Sequence, residues 1–298
     1  MTAPVALAAG AGSLVVLDAA YREAIARTSA AVIRVMLAGW SVVDVDDLAG
    51  TGEDWMTSAV AAVLGGQRNA YGLANAYTAQ VRRLSVPGAP AFTPPPAEPP
   101  NVEQIRNSLE FTAIKTTARE YGKAKNFAEE QRRPAVVDPS GFSEGFVYDD
   151  KSPAAVPKQK ILEDGIVRAS GAAVRHVTTA GFDQIKRNVQ ADAAALGWYR
   201  TTKTGCCFFC AMLASRGMVY KEKSFEASNA RFKGPGEQKV HDRCGCGLRP
   251  VYTMDDELPD QTEEFEQLWA DSADGSGKQA ILNFRRAYEG RVAPQPGR

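Results

Sequence analysis

Residues 158–196 read KQKILEDGIVRASGAAVRHVTTAGFDQIKRNVQADAAAL. Leu162, Ile166, Ala169, Ala173, Val177, Gly181, Ile185 and Val189 recur every three or four positions, with charged residues between them. That is the period of one face of an α-helix, and it is sustained too long for a strand. The reading predicts a long helix over 158–196, with Gly197 as its C-cap. The same period appears upstream. Leu14, Leu17, Tyr21, Ile25, Thr28, Val32 and Val35 mark one helix. Ala70, Leu73, Tyr77, Val81 and Leu84 mark a second, starting at Thr51 or Glu53 after a break over 39–52. Two long helices joined by a short acidic segment are expected to fold back as an antiparallel pair.

Between them and the long helix, VPGAPAFTPPPAEPP (86–100) places seven prolines in fifteen residues, which excludes both helix and central strand and predicts a semi-rigid connector. Asn101, with Gln104 three positions on, caps a further helix running to about Arg133. Residues 134–157, with prolines, glycines and Phe142, Phe146 and Tyr148, read as an extended arm. Downstream, Met218–Tyr220 and Leu248–Tyr252 fit short strands, and helical pieces fall around Phe265–Trp269 and Lys278–Tyr288. The predicted organisation is a helical hairpin (1–85), a Pro-rich linker (86–100), a helix (101–133), an arm (134–157), a cysteine-bearing C-terminal domain (158–252) and an acidic helical tail (253–298). The expected class is mainly α: a helical N-terminal region plus a small α+β, zinc-knuckle-like C-terminal domain.

A composition of 44% hydrophobic and 23% charged residues can bury a core and excludes disorder throughout the 298 residues. No apolar run approaches the roughly 18–20 residues a membrane span needs, and 1–12 lacks the positive start of a secretion signal, so neither span nor signal is expected. Net charge is zero, yet it is unevenly spread: 158–251 carry 16 basic and 8 acidic residues, whereas 252–298 carry 5 basic and 10 acidic. Either the two blocks neutralise each other, or the basic block faces a polyanion. Arg216, Lys221, Lys223, Arg231, Lys233 and Lys239, interleaved with Phe225 and Phe232, are the candidate nucleic-acid contacts.

All five cysteines, Cys206, Cys207, Cys210, Cys244 and Cys246, fall within 206–246. Cys207 and Cys210 form a C-x2-C pair; His241 and Cys244 form an H-x2-C pair thirty residues later. Two such pairs can converge on one tetrahedral zinc, with Cys207, Cys210, His241 and Cys244 as the preferred ligands, Cys246 in reserve and Cys206 packed outside the set. Buried reduced thiols and structural disulfides are the competing states of the same cluster.

WYRTTKTGCCFFCAMLASRGMVY (198–220) and HDRCGCGLRPV (241–251) resemble the C-terminal signature of MuF-like minor head proteins of tailed bacteriophages. The similarity is greatest to the subgroup from phages of actinobacteria, often labelled capsid maturation protease. The family's usual proline beside the closing histidine is replaced here by Val240 and Asp242. The resemblance implies a few-copy structural component of the phage head interior, made in the bacterial cytoplasm. Its implied partners are the portal protein and capsid or scaffold proteins, with packaged DNA as a further candidate and no membrane.

The rival implied by the label is an enzyme. His176 and His241 are the only histidines, no G-x-S-x-G or H-E-x-x-H element occurs, and His176 reads as a solvated helix residue. A cysteine protease using Cys206 or Cys210 with His241 is the remaining catalytic arrangement.

Overall fold

The computed structural model describes residues 14–132, 157–220, 245–253 and 260–292. Its elements are α1 (Leu14–Trp40), a 3-10 turn (Val45–Asp47), α2 (Leu48–Ser85), α3 (Val102–Leu109), a π-helical turn (Glu110–Lys115), α4 (Thr116–Arg132), α5 (Lys158–Ala191), β1 (Gly197–Thr201), α6 (Phe208–Ala214), β2 (Met218–Tyr220), β3 (Gly247–Val251), α7 (Asp260–Ser272) and α8 (Lys278–Val292). The protein is mainly α, with one three-stranded sheet among the described residues, ordered β2-β1-β3. No single described helix is long and apolar enough to cross a membrane. Of the predicted arm (134–157), residues 134–156 lie outside the described residues.

The chain divides into two compact units. The first comprises Met1–Ile33, Val63–Pro100 and Ala173–Arg298. Within it, α1 and α2 run in opposite directions: Tyr21 stacks on Tyr77 at 4.5 Å, and Asn69 donates to the Thr28 hydroxyl at 2.8 Å. One turn of α1 further, an added Cβ on Gly66 would stand 2.7 Å from Val32 and 2.8 Å from Val177, so this glycine lets three helices approach. The predicted stripe of α5 is buried here through Ala173, Val177, Ile185 and Val189.

The Pro-rich segment has no helix or strand, but it is strapped to α5. Gln184 and Arg187 donate to the carbonyls of Pro95 and Pro96, and Arg187 pairs with Glu98. An extended Pro-rich backbone has unpaired carbonyls, and long side chains from a neighbouring helix satisfy them.

The second unit comprises Arg34–Ala62 and Asn101–Ala172. Trp40 and Trp55 meet edge to face at 4.8 Å, and their indole N–H groups donate to the carbonyls of Leu162 and Met36. Asn101 caps α3 as its spacing predicts, its side chain accepting the Gln104 N–H at 2.9 Å. At the π turn, Thr116 donates to the Phe111 carbonyl five residues back. Asp46 in the 3-10 turn accepts from Tyr121 and from Lys158, which joins the start of α5 to α4.

Three expectations are corrected. The break at 39–52 is much shorter, because Gly39 lies inside α1 and Gly50 and Gly52 lie inside α2. Gly39 and Gly52 make room for neighbours: an added Cβ would meet Trp55 at 3.3 Å and Ile114 at 2.8 Å respectively. Gly197 is the first residue of β1 and not a C-cap; α5 ends at Ala191, and the Asp192 carboxylate accepts the Ala194 N–H to turn the chain. His176 is half-buried rather than solvated, and its carbonyl accepts from Gln67.

Candidate functional site

The cysteine window is built on β1, whose five residues are all buried. Its antiparallel partners are β2, which pairs Trp198 with Val219, and β3, which pairs Tyr199 with Arg249 and Thr201 with Gly247. The chain leaves β1 through a tight turn. Gly205 takes φ +68°, a left-handed conformation that suits glycine, and the Cys206 N–H donates to the Lys203 carbonyl. Cys207 then caps α6, its Sγ accepting the Cys210 N–H at 3.4 Å. One turn of chain therefore carries both members of the C-x2-C pair, Cys207 exposed and Cys210 buried.

Cys206 is also buried, against the C-terminal helices. The Tyr288 hydroxyl on α8 donates to the Cys206 carbonyl and lies 3.7 Å from its Sγ. Burial, the contact with Cys206 and the charges of the Cys206, Cys207 and Cys210 side chains push the Tyr288 phenol well above its ordinary range. Cys246 is buried directly before β3. Because Gly247 faces Thr201, Cys246 sits beside the strand end from which the cysteine turn departs. Its flanking glycines sit close to neighbouring side chains: an added Cβ on Gly247 would stand 2.7 Å from the Thr201 hydroxyl, and one on Gly245 would meet the flexible Lys203 side chain at 3.3 Å.

Cys207 and Cys210 thus fit half of a tetrahedral thiolate site. Their sulfurs emerge from one turn, and an amide N–H already points at one of them, as a thiolate prefers. His241 and Cys244, the other half of the predicted set, lie outside the described residues. Among the described residues, no group of three His, Cys, Asp or Glu side chains is placed to hold an ion.

Of the candidate nucleic-acid contacts, Arg216 follows α6 and is half-buried. Burial and the neighbouring Arg200 guanidinium push its pKa down to about 10. Lys221, Lys223, Arg231, Lys233 and Lys239 lie outside the described residues.

Two features that sequence reasoning missed hold the cysteine sheet in place. The first is a buried ionic cluster: Arg249 on β3 donates through Nε to Asp18 on α1 at 2.8 Å, with both side chains 3% exposed. The Tyr77 hydroxyl donates to the other oxygen of Asp18, and the Arg249 guanidinium lies 4.9 Å from the Tyr199 ring centre. Nearby, Arg82 pairs with Asp192 at 2.7 Å where α2 and α5 end. The second is the tail, where Phe265, Leu268, Phe284 and Tyr288 form a buried face beside α6. Arg285 also covers the Phe208 ring at 4.8 Å. The tail's acidic charge drew attention in the sequence, whereas Phe284 and Tyr288, four apart on one helix face, were the available signal.

No curated protein and no solved structure matches the chain. A family model described as VG15 protein matches residues 17–272, from the first turn of α1 to the end of α7 and across the whole cysteine window. The chain belongs to the VG15 family and is a phage protein.

Proposed function

We propose that this phage protein is a structural minor head component, a MuF-like protein held at the portal or the capsid interior, whose cysteine turn binds one zinc ion. The observation that carries the reading is how the cysteine-bearing signature seen in the sequence is mounted. The turn bearing Cys207 and Cys210 springs from a fully buried strand, and that sheet is fastened to α1 by the buried Asp18–Arg249 pair. A charge pair placed this deeply fixes one arrangement of sheet and helices, which suits a part that must hold its shape inside a large assembly. Cys207 and Cys210 would supply two ligands and His241 and Cys244 the other two, with Cys246 in reserve. Zinc at that site would contribute folding free energy directly to this small three-stranded sheet and its cysteine turn.

The test is a phage carrying Cys210→Ser. As a structural protein, the variant yields defective or poorly infectious particles in which the major capsid protein has its wild-type length. Accumulation of unprocessed major capsid protein would instead favour the maturation protease, and the non-enzymatic reading would fall.

A further inference from the structure

The C-terminal hairpin does more than cover apolar surface. The ring of Tyr288 packs edge to face on Phe265 at 5.8 Å and parallel to Phe284 at 6.3 Å, which fixes where its hydroxyl points. That hydroxyl reaches across to the cysteine turn, donating to the Cys206 carbonyl with the Cys206 Sγ 3.7 Å away. The bonded carbonyl belongs to the residue immediately before Cys207, between the left-handed Gly205 and the helix cap. Holding that carbonyl orients the Cys206–Cys207 peptide, the link that leads into Cys207, whose sulfur accepts the Cys210 N–H.

We propose that Tyr288 is a positioning residue for the cysteine site: its hydroxyl, delivered by the C-terminal hairpin, holds the 203–207 turn in the conformation from which Cys207 and Cys210 grip a thiophilic divalent cation. This inference rests on the zinc reading above. It adds that metal retention and docking of α7–α8 are coupled, and coupling between two binding equilibria is reciprocal. Groups that orient metal ligands without touching the metal typically alter affinity by about 10–100-fold when removed.

The experiment uses the full chain, purified under reducing conditions and loaded with zinc. Zinc release to a colorimetric chelator is followed for wild type, Tyr288→Phe and Ile105→Val. Tyr288→Phe keeps the ring and its packing and removes only the hydroxyl. Ile105→Val trims a buried side chain of α3 in the second unit, at about 0.5–1.5 kcal/mol, and so reports the effect of general destabilisation. The expected result is release accelerated about 10-fold or more in Tyr288→Phe, unchanged helical circular dichroism, and release close to wild type in Ile105→Val. Cobalt substitution should give tetrahedral absorption bands in both wild type and Tyr288→Phe, with the variant saturating at higher cobalt. Equal release from wild type and Tyr288→Phe would overturn the positioning role while leaving the zinc site standing, as would equal acceleration in both variants. A wild-type chain that takes up neither zinc nor cobalt would overturn the metal reading and this inference with it.

Discussion

Replacing Arg249 with methionine removes the cation from a pair whose two side chains are each only 3% exposed. Methionine is close to the arginine stem in shape, so packing is largely retained and the loss is electrostatic. The Asp18 carboxylate would keep the Tyr77 hydroxyl and lose both Arg249 donors, in a place water does not reach. Leaving one partner of a buried pair uncompensated costs about 3–5 kcal/mol. Loss of the guanidinium over Tyr199 adds about 0.5–2 kcal/mol. Against a typical stability of about 5–15 kcal/mol this is a large fraction. In urea denaturation followed by tryptophan fluorescence, the midpoint of the unit containing Trp198 should fall by more than about 1 M. Adding Asp18→Leu to Arg249→Met should recover part of the loss, because the orphaned charge disappears and only the Tyr77 hydroxyl is left without its acceptor, at about 1–3 kcal/mol. A single-variant cost below about 1 kcal/mol, or strictly additive costs in the double variant, would refute the claim that this pair anchors the sheet.

Other perturbations probe separate parts of the fold. Gly66→Ala should lower stability by about 1–2 kcal/mol, since Val32 and Val177 leave no room for its methyl, whereas Gly72→Ala in the same helix meets nothing within 4 Å and should raise stability by about 0.5–1 kcal/mol. Thermal melts showing the same sign for both would remove the three-helix contact as their cause. Hydrogen bonds from Lys158 and Tyr121 hold the Asp46 carboxyl below its ordinary 3.8, so its contribution is complete above that pH and is lost as pH falls through the lower folded-state value. An NMR titration should find the Asp46 midpoint below 3.8, and a midpoint at or above 3.8 would contradict the clasp. Arg187→Ala should speed proteolysis within 86–100 by releasing the strap from Pro96 and Glu98; an unchanged cleavage rate would show that the strap does not depend on this side chain.

Much of the helical frame was legible in the sequence, because a helix buried along one face prints its period on the chain. Tyr21, Ile25 and Val32, and Leu73, Tyr77 and Val81, are buried at the spacing that announced them. The Asn101 cap was legible because its partner amide is local. Glycines misled for a physical reason: at Gly39 and Gly52 the missing Cβ serves a close approach by Trp55 and Ile114, and composition does not distinguish this use from a turn. The central strand β1 was missed because a strand buried on both faces has no alternation, and Arg200 within it reads as a surface residue. The cysteine pair was visible by spacing. Its supports, Asp18 and Tyr288, were not, because each meets the site from far along the chain, 231 residues from Arg249 and 82 from Cys206.

The structural reading of this phage protein is tested most directly by quantitative mass spectrometry of purified, nuclease-treated virions and of the same particles after DNA ejection. A structural head component should be found as the full chain in few copies per head, retained in emptied heads at a fixed ratio to the portal protein. Its absence from the mature particle would contradict a structural place in the head.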